Sequence, residues 1–514
     1  MTDFFADVQA RSRRFPLTAN TVVVAIVTAI VVAAVAGFAY YWQPGIFHAM
    51  WSLARMVWLP AIVFAVGVGI ALIGLGIPEH KRTKRATLFS VGVIGVLSSL
   101  VVAGVVTYQS NAAYSTSLAT TTAENTSEMV SFSDRAPFDV AAETSNRTLG
   151  DTTGTATGVV KSLPLNGDHG EYSTSVIRRG FAQGYESTQV LNVPIYGTAN
   201  NSHVKFCDYS DDATLRFGGF FPKNNLTRAI YHKTSWSVSA AQRDSFVVCD
   251  GDTPMVYAPL TQQKGVFAPH RVPAGVAIYN GTTGELVIED NYEGTLPVYP
   301  QSLATQQRES TRFSQTFFDY IFKRAGYEDT SKDADDPNGD NRAEFNMANE
   351  SRDASMFVTP LTKPGASSSI VALGTVESNS MTKGELNPYT VNTYPDGQSQ
   401  QATSSIAARI MSEQLSGYKG QGLSVFEVVP QKDGTWVATI GKSQSILYRA
   451  LIAPDGSITL IDGDEKVPSG ENTEDKAEDS VTTKPVDEMS EDELRELGNK
   501  IVDELSKRAS ADTE

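Results

Sequence analysis

Three uninterrupted apolar runs dominate the first fifth of the chain, at residues 22–42, 56–77 and 86–108, none containing a charge. At 1.5 Å rise per residue, a run of about 20 apolar residues matches the roughly 30 Å hydrocarbon core of a bilayer, so each run predicts a membrane-spanning helix. Beyond residue 158 the pattern changes to short β-rich runs at 189–196, 245–249, 255–260, 275–279 and 285–289, punctuated by Gly and Pro. Asn280, Gly281 and Gly284 supply turn chemistry between the last two, so residues 275–289 read as a hairpin. After Pro300 the period becomes helical, with Phe313, Phe317, Tyr320 and Ile321 on one face and Gly326 as the stop signal.

A second set of elements follows residue 353. Strand patterns at 357–361 and 370–376 precede a helix over 404–415, and runs at 423–429, 435–440, 446–452 and 457–461 complete a β-meander. Its turns are Lys432-Asp433-Gly434 and Pro454-Asp455-Gly456. The chain closes on one more helical pattern, opened by the capping pair Ser490 and Glu493, with Leu494, Leu497, Ile501, Val502 and Leu505 on one face as a docking stripe. That stripe suits either packing on this chain's own head or docking on a partner or second copy.

These patterns divide the chain into a cytoplasmic N-terminus (1–21), a three-helix transmembrane region (22–108), a connector (109–158), a first α+β domain (159–326), an acidic linker (327–353), a second α+β domain (354–463), an acidic tether (464–488) and the terminal amphipathic helix (489–508). The connector carries 18 Ser or Thr in 50 residues and reads as a flexible stalk. The fold class expected is therefore a membrane α-helical part of three spans joined to an α+β extracytoplasmic region of two small antiparallel-sheet domains.

Charge orients these parts. Arg11, Arg13, Arg14, Lys81, Arg82, Lys84 and Arg85 fall on one side of the three runs, and Arg55 alone on the other. Basic residues are retained in the cytoplasm, so the N-terminus is expected inside and the region after residue 108 outside. The net charge is -16, and residues 464–514 alone contain 17 acidic and 7 basic residues. Such a balance argues against binding nucleic acid or anionic lipid over a broad face and leaves the lipid bilayer, other membrane or envelope proteins and a second copy of the chain as partners.

Cys207 and Cys249 both fall in the exported part, where the compartment permits a disulfide; two buried free thiols are the alternative. Ala25, Ala29, Ala33 and Gly37 recur every four residues along the first run and form a small-residue stripe suited to close helix packing. Shorter versions occur at Gly67 and Ala71 and at Ser99 and Ala103. In the acidic linker, Asp333, Asp335, Asp336 and Asp340 offer the hard oxygen ligands calcium prefers, but the spacing around Gly339 misses the EF-hand register, and a solvated linker accounts for them as well.

Chemistry is otherwise sparse. The four histidines of the exported part, His169, His203, His232 and His270, stand at no metal-ligand spacing, and nucleophile-elbow, P-loop and dinucleotide motifs are missing from the sequence. Ser416 and Lys419 match S-x-x-K, but at a helix end and without the partner motifs that chemistry uses. No cofactor is called for.

The helix-then-meander order of residues 400–463, echoed at 230–290, resembles the cystatin-like, PepSY and NTF2-like domains of bacterial envelope proteins. Paired domains of that kind behind a membrane anchor resemble VirB8-type conjugation scaffolds, although those use one span where three are expected here. The resemblance implies a binding or scaffolding head within a secretion, conjugation or other envelope assembly. The alternative is a membrane-anchored hydrolase of cell-wall or surface polymers that works through dispersed carboxylates. No residue in the sequence requires catalysis.

Overall fold

The computed structural model describes residues 19–149, 154–167, 170–179, 183–198, 203–330, 345–365, 368–418, 421–443, 445–462 and 465–466. The calcium candidates Asp333, Asp335, Asp336 and Asp340 lie outside the described residues, as do Lys419, the tether apart from Glu465 and Lys466, and the whole terminal helix with its docking stripe.

The apolar runs fold as three helices, α1 (Ala19–Trp42), α2 (Pro44–Leu75) and α3 (Arg82–Ala112). Two segments are long and apolar enough to cross a membrane, Pro44–Leu75 and Arg82–Ser117; within α1 the described apolar stretch is the shorter Ile26–Trp42. Helices α2 and α3 form a hairpin whose close approach depends on missing side chains. A Cβ built on Gly67 would lie 2.6 Å from the Val96 backbone nitrogen, one on Gly74 2.7 Å from the Phe89 nitrogen, and one on Gly92 2.6 Å from the Ala71 Cα. Small residues thus let two backbones touch, and Ser99 is buried along the same seam.

The stripe on α1 behaves differently from its expected role. Ala29, Ala33 and Gly37 are exposed within the chain, and a Cβ on Gly37 would meet nothing within 4 Å. Ala25 belongs to the same helix, but its side chain lies outside the described ones. The small-residue contact is therefore made by the second and third helices. Gly92→Leu is expected to wedge them apart at a cost of roughly 1–3 kcal/mol, whereas Gly104→Leu, where a Cβ meets nothing within 4 Å, is expected to be near neutral. Thermal unfolding of both variants in detergent checks this.

Beyond α3 the chain builds four larger sheets. A six-stranded sheet runs in the order Leu118–Thr122, Tyr389–Thr393, Ala372–Glu377, Ser355–Thr362, Glu328–Asp329, with Phe345–Ala348 also paired to Ser355–Thr362. A five-stranded sheet holds Leu286–Glu289, His270–Asn280, Thr253–Lys264 and Val238–Ala240, with Phe246–Asp250 on Thr253–Lys264. The expected hairpin is part of it, with Val276 opposite Glu289 and Tyr279 opposite Leu286. A four-stranded sheet runs Gly154–Ser162, Glu171–Arg178, Tyr185–Asn192, His203–Asp208. The C-terminal meander runs Ser424–Pro430, Trp436–Lys442, Ser445–Ile452, Ile458–Asp462, Glu465–Lys466, and the short Gly197–Thr198 adds to Ser445–Ile452.

The meander follows its expected grammar. Asp433 and Gly434 both adopt positive φ, 55° and 70°, which the Lys432-Asp433-Gly434 turn requires between right-twisted strands. A Cβ on Gly434 would also collide with the Thr126 backbone, so the turn packs against the start of the head. The preceding helix is shorter than expected: Thr403–Arg409 is α-helical and Ile410–Gln414 widens into a π-turn, with Ile406 and Ile410 buried.

Three readings are corrected. The Ser/Thr-rich segment is built into the head: Leu118–Thr122 pairs parallel with Tyr389–Thr393, Phe132 bridges to Asn349, and Met129 and Phe132 join a core with Phe345, Ile406, Trp436 and Ile452. Its polarity misled because strand edges and helix caps use hydroxyls without being flexible; Ser145, on helix Phe138–Arg147, donates to Gln189 Oε1 at 2.7 Å. Second, the described residues of the acidic segment do not separate two cores. Glu328–Asp329 and Phe345–Ala348 pair with Ser355–Thr362, and one core mixes Leu163, Phe246 and Val276 with Phe357, Val376 and Tyr389. The described residues from Ala19 to Lys466 belong to one compact unit. Third, the helix after Pro300 is broken into Gln301–Ser310, a 3-10 turn Thr311–Phe313 and Phe317–Ile321; Phe317 and Ile321 of its apolar face are exposed, while Phe313 and Tyr320 are half-buried.

A buried ion pair latches the N-terminal segment to both halves of the head. Arg135 Nη2 donates to Glu427 Oε1 at 2.5 Å, with side chains 5% and 3% exposed. Arg135 Nη1 donates to the Tyr172 hydroxyl at 2.7 Å, and that hydroxyl donates to the Ala136 carbonyl at 2.5 Å. Burial pushes the Tyr172 phenol up to about 12. Arg449 and Asp134 form a neighbouring pair, with Nη1 to Oδ2 at 3.0 Å.

Candidate functional site

Where the helices meet the head, polar and aromatic side chains interlock at three places. The first is the corner between α1 and α2, where Gln43 leaves helical geometry (φ -138°, ψ 73°) and Pro44 starts the next helix. Gln43 Nε2 donates to the Phe220 carbonyl at 3.2 Å, and Asn225 Nδ2 donates to Gln43 Oε1 at 3.3 Å. Asn225 also caps the helix Leu226–Lys233, its Oδ1 accepting from Arg228 N at 2.9 Å. Capping aims Arg228 back at the corner, where Nε donates to the Tyr41 carbonyl at 2.7 Å and the guanidinium lies 4.3 Å over the Tyr41 ring.

One turn along α2, His48 is buried, and its Nδ1 donates to the Val238 carbonyl at 2.9 Å. Tyr231 stacks on the imidazole at 3.9 Å and Trp236 at 5.5 Å, while Tyr40 stacks on Trp236 at 5.0 Å. His232 stands edge-on to Tyr40, and burial, aided by the charge of Arg228, holds it below the ordinary histidine range.

The second place is the tip of the long hairpin between Thr253–Lys264 and His270–Asn280. Arg55, the one Lys or Arg between the first two apolar runs, donates from Nη1 to the Gln263 carbonyl at 3.0 Å and from Nη2 to the Gly265 carbonyl at 2.6 Å. Trp58 Nε1 donates to the Val266 carbonyl at 3.1 Å, and its ring lies 5.8 Å from Phe267. Gly265 makes the tip: its φ is 86°, and a Cβ there would sit 2.6 Å from the Ala268 carbonyl oxygen.

The third place is the C-terminal end of α3. The Tyr108 hydroxyl donates to the Gln315 carbonyl at 3.2 Å, and its ring packs against Phe313, Phe317 and Tyr320 at 5.3 to 5.8 Å. Further on, the buried Tyr114 hydroxyl accepts from the Arg271 amide at 2.7 Å. Helix ends and head are therefore continuous in structure.

Of the residues singled out from sequence, Cys207 and Cys249 are brought together as a disulfide with Cα atoms 6.0 Å apart, joining the four-stranded sheet to the five-stranded one. Among the described residues no group of three or more His, Cys, Asp or Glu is placed to hold a metal. The joint residues Arg55, Trp58, Tyr108, Phe267 and Phe317 were not singled out as a site. The signal available was pairing of type: an aromatic belt at the helix ends and Gly-flanked or doubled aromatics, Val266-Phe267 and Phe317-Phe318, far along the chain. No protein-family model matches the chain, and neither does any curated protein or any solved structure.

Proposed function

We propose that the chain is a polytopic, membrane-anchored envelope protein with three spans, its N-terminus in the cytoplasm and its β-rich head outside, where the head works by binding or scaffolding within a secretion, conjugation or other envelope assembly. The observation that carries this reading is the joint between helices and head. A head held through Gln43, His48, Arg55, Trp58 and Tyr108 keeps one pose relative to its helices, as a scaffold must and a tethered domain need not. The seven basic residues on the opposite side of the apolar runs support the orientation, and the Cys207–Cys249 bridge supports an oxidising compartment. An open strand suits binding: Leu118–Thr122 ends the six-stranded sheet, pairs on one edge only among the described residues, and is exposed along four of its five positions. The helix-then-meander order supports the likeness to membrane-anchored scaffold domains at the level of element order.

Crosslinking in intact cells from photoreactive residues placed at Thr120 and Phe206, followed by mass spectrometry, tests the reading. Recovery of one defined envelope assembly is expected. Recovery of self-contacts alone would overturn it.

A further inference from the structure

The head carries two apolar tips that the fold leaves uncovered. Val266 and Phe267, at the hairpin tip, are 63% and 65% exposed; Phe318 and Phe322, on and just after the helix Phe317–Ile321, are 69% and 60% exposed, with Ile321 at 50%. Large side chains in such numbers at two separate loops are unusual for a water-facing surface. Both tips are tied to helices that enter the apolar bundle: Val266 and Phe267 to Trp58 of α2, Phe317 to Tyr108 of α3.

The two tips also stand at one height. In the α2–α3 hairpin, Gly74 faces Phe89, Ala71 faces Gly92 and Gly67 faces Val96. Each step toward the start of α2 is matched by an equal step toward the end of α3, and continuing that register brings Arg55 level with Tyr108. Below that level the helices are uncharged until the basic loop at Lys81. Cations fringe the tips: Lys264 precedes the first, and Lys323 and Arg324 follow the second, all exposed, against the carboxylates Asp319 and Glu328, the latter half-buried and paired with Arg312. In a chain of net charge -16 this local excess is notable, and aromatic rings bordered by Lys and Arg are the composition of a headgroup-level contact.

We infer that the tips Val266–Phe267 and Phe317–Phe322 insert into the outer leaflet of the bilayer, with Lys264, Lys323 and Arg324 at the level of its anionic headgroups, so that the head is seated on lipid as well as on its helices. The inference rests on the membrane-spanning reading above. It commits to lipid because the tips continue the surface of the helices themselves.

The two cysteines of the chain are bridged to each other, so an added cysteine is the sole free thiol. The full chain, as Phe267→Cys, Phe318→Cys, Val66→Cys or Lys432→Cys, is labelled with an environment-sensitive NBD fluorophore and reconstituted in phosphatidylcholine–phosphatidylglycerol vesicles. Labels at 267 and 318 are expected to show blue-shifted emission that is lost with doxyl-labelled lipid and resists aqueous iodide. The label at Val66, within α2, should respond like them, and the label at Lys432, in an exposed head turn, should respond to iodide alone. Iodide quenching at 267 and 318 would overturn the inference, and so would shielding from both quenchers, the mark of a protein partner. If Val66→Cys responds to doxyl lipid while 267 and 318 do not, only this inference falls; if Val66→Cys fails as well, the membrane-spanning reading falls with it.

Discussion

Arg135→Ala is expected to cost about 3–5 kcal/mol of head stability, and Glu427→Ala a similar amount, because either change leaves one charge buried without its partner. The two side chains are 5% and 3% exposed, and the Tyr172 hydroxyl that completes the triad is itself fully buried, so no water stands ready to replace the missing group. The same triad ties the segment after α3 to the four-stranded sheet and to the meander, so its loss should loosen the head as a whole. Changing both at once, Arg135→Met with Glu427→Leu, should recover much of the loss, since apolar groups of similar volume remove both desolvation costs together. Denaturant unfolding of the single and double variants, read as a double-mutant cycle, measures the coupling. Single variants within 1 kcal/mol of the parent would show that the pair is not buried as described.

Removing the disulfide is expected to be comparable in size. The bridge closes a loop across a sequence separation of 42 residues, for which the chain-entropy model gives about 4 kcal/mol. Its position adds a structural reason for a large effect. Cys207 lies on the outermost strand of the four-stranded sheet, His203–Asp208, and Cys249 on Phe246–Asp250, so the bond holds two sheets that share no strand. Cys207→Ser with Cys249→Ser should lower the unfolding midpoint by several degrees or more, and reduction of the parent should reproduce that shift. An unchanged midpoint in both cases would mean that the interface between the sheets is sufficient without the bond.

Much of this architecture is legible from residue order, and the parts that were misread share one cause. The meander could be read because its turns are local: Asp433-Gly434 dictates a positive-φ turn wherever it stands, and the flanking alternation sets the strands. The α2–α3 hairpin follows from two apolar runs joined by a short basic loop. By contrast, residues 118–122 look like a stalk until their partner 271 positions later, at Tyr389–Thr393, is known. The outward turn of Phe317, Phe318, Ile321 and Phe322 is hidden in the same way, since helical periodicity marks an apolar face without saying whether protein or lipid covers it.

Sequence alone, through hydrophobic run length, charge asymmetry and turn chemistry, determined the number and order of the apolar helices, the side on which the basic residues gather, and the meander at the end of the head. These properties are short-range, each depending on neighbours within a few residues. Tertiary structure decided that Gly67, Gly74 and Gly92, and not the α1 stripe, make the close helix contact, that Cys207 meets Cys249, and that Arg135 closes on Glu427. It also decided that Trp58 and Tyr108 of the helices meet the two aromatic tips of the head. Each of these is a meeting of residues from distant parts of the chain, set by how whole sheets and helices pack, and no local pattern carries that information.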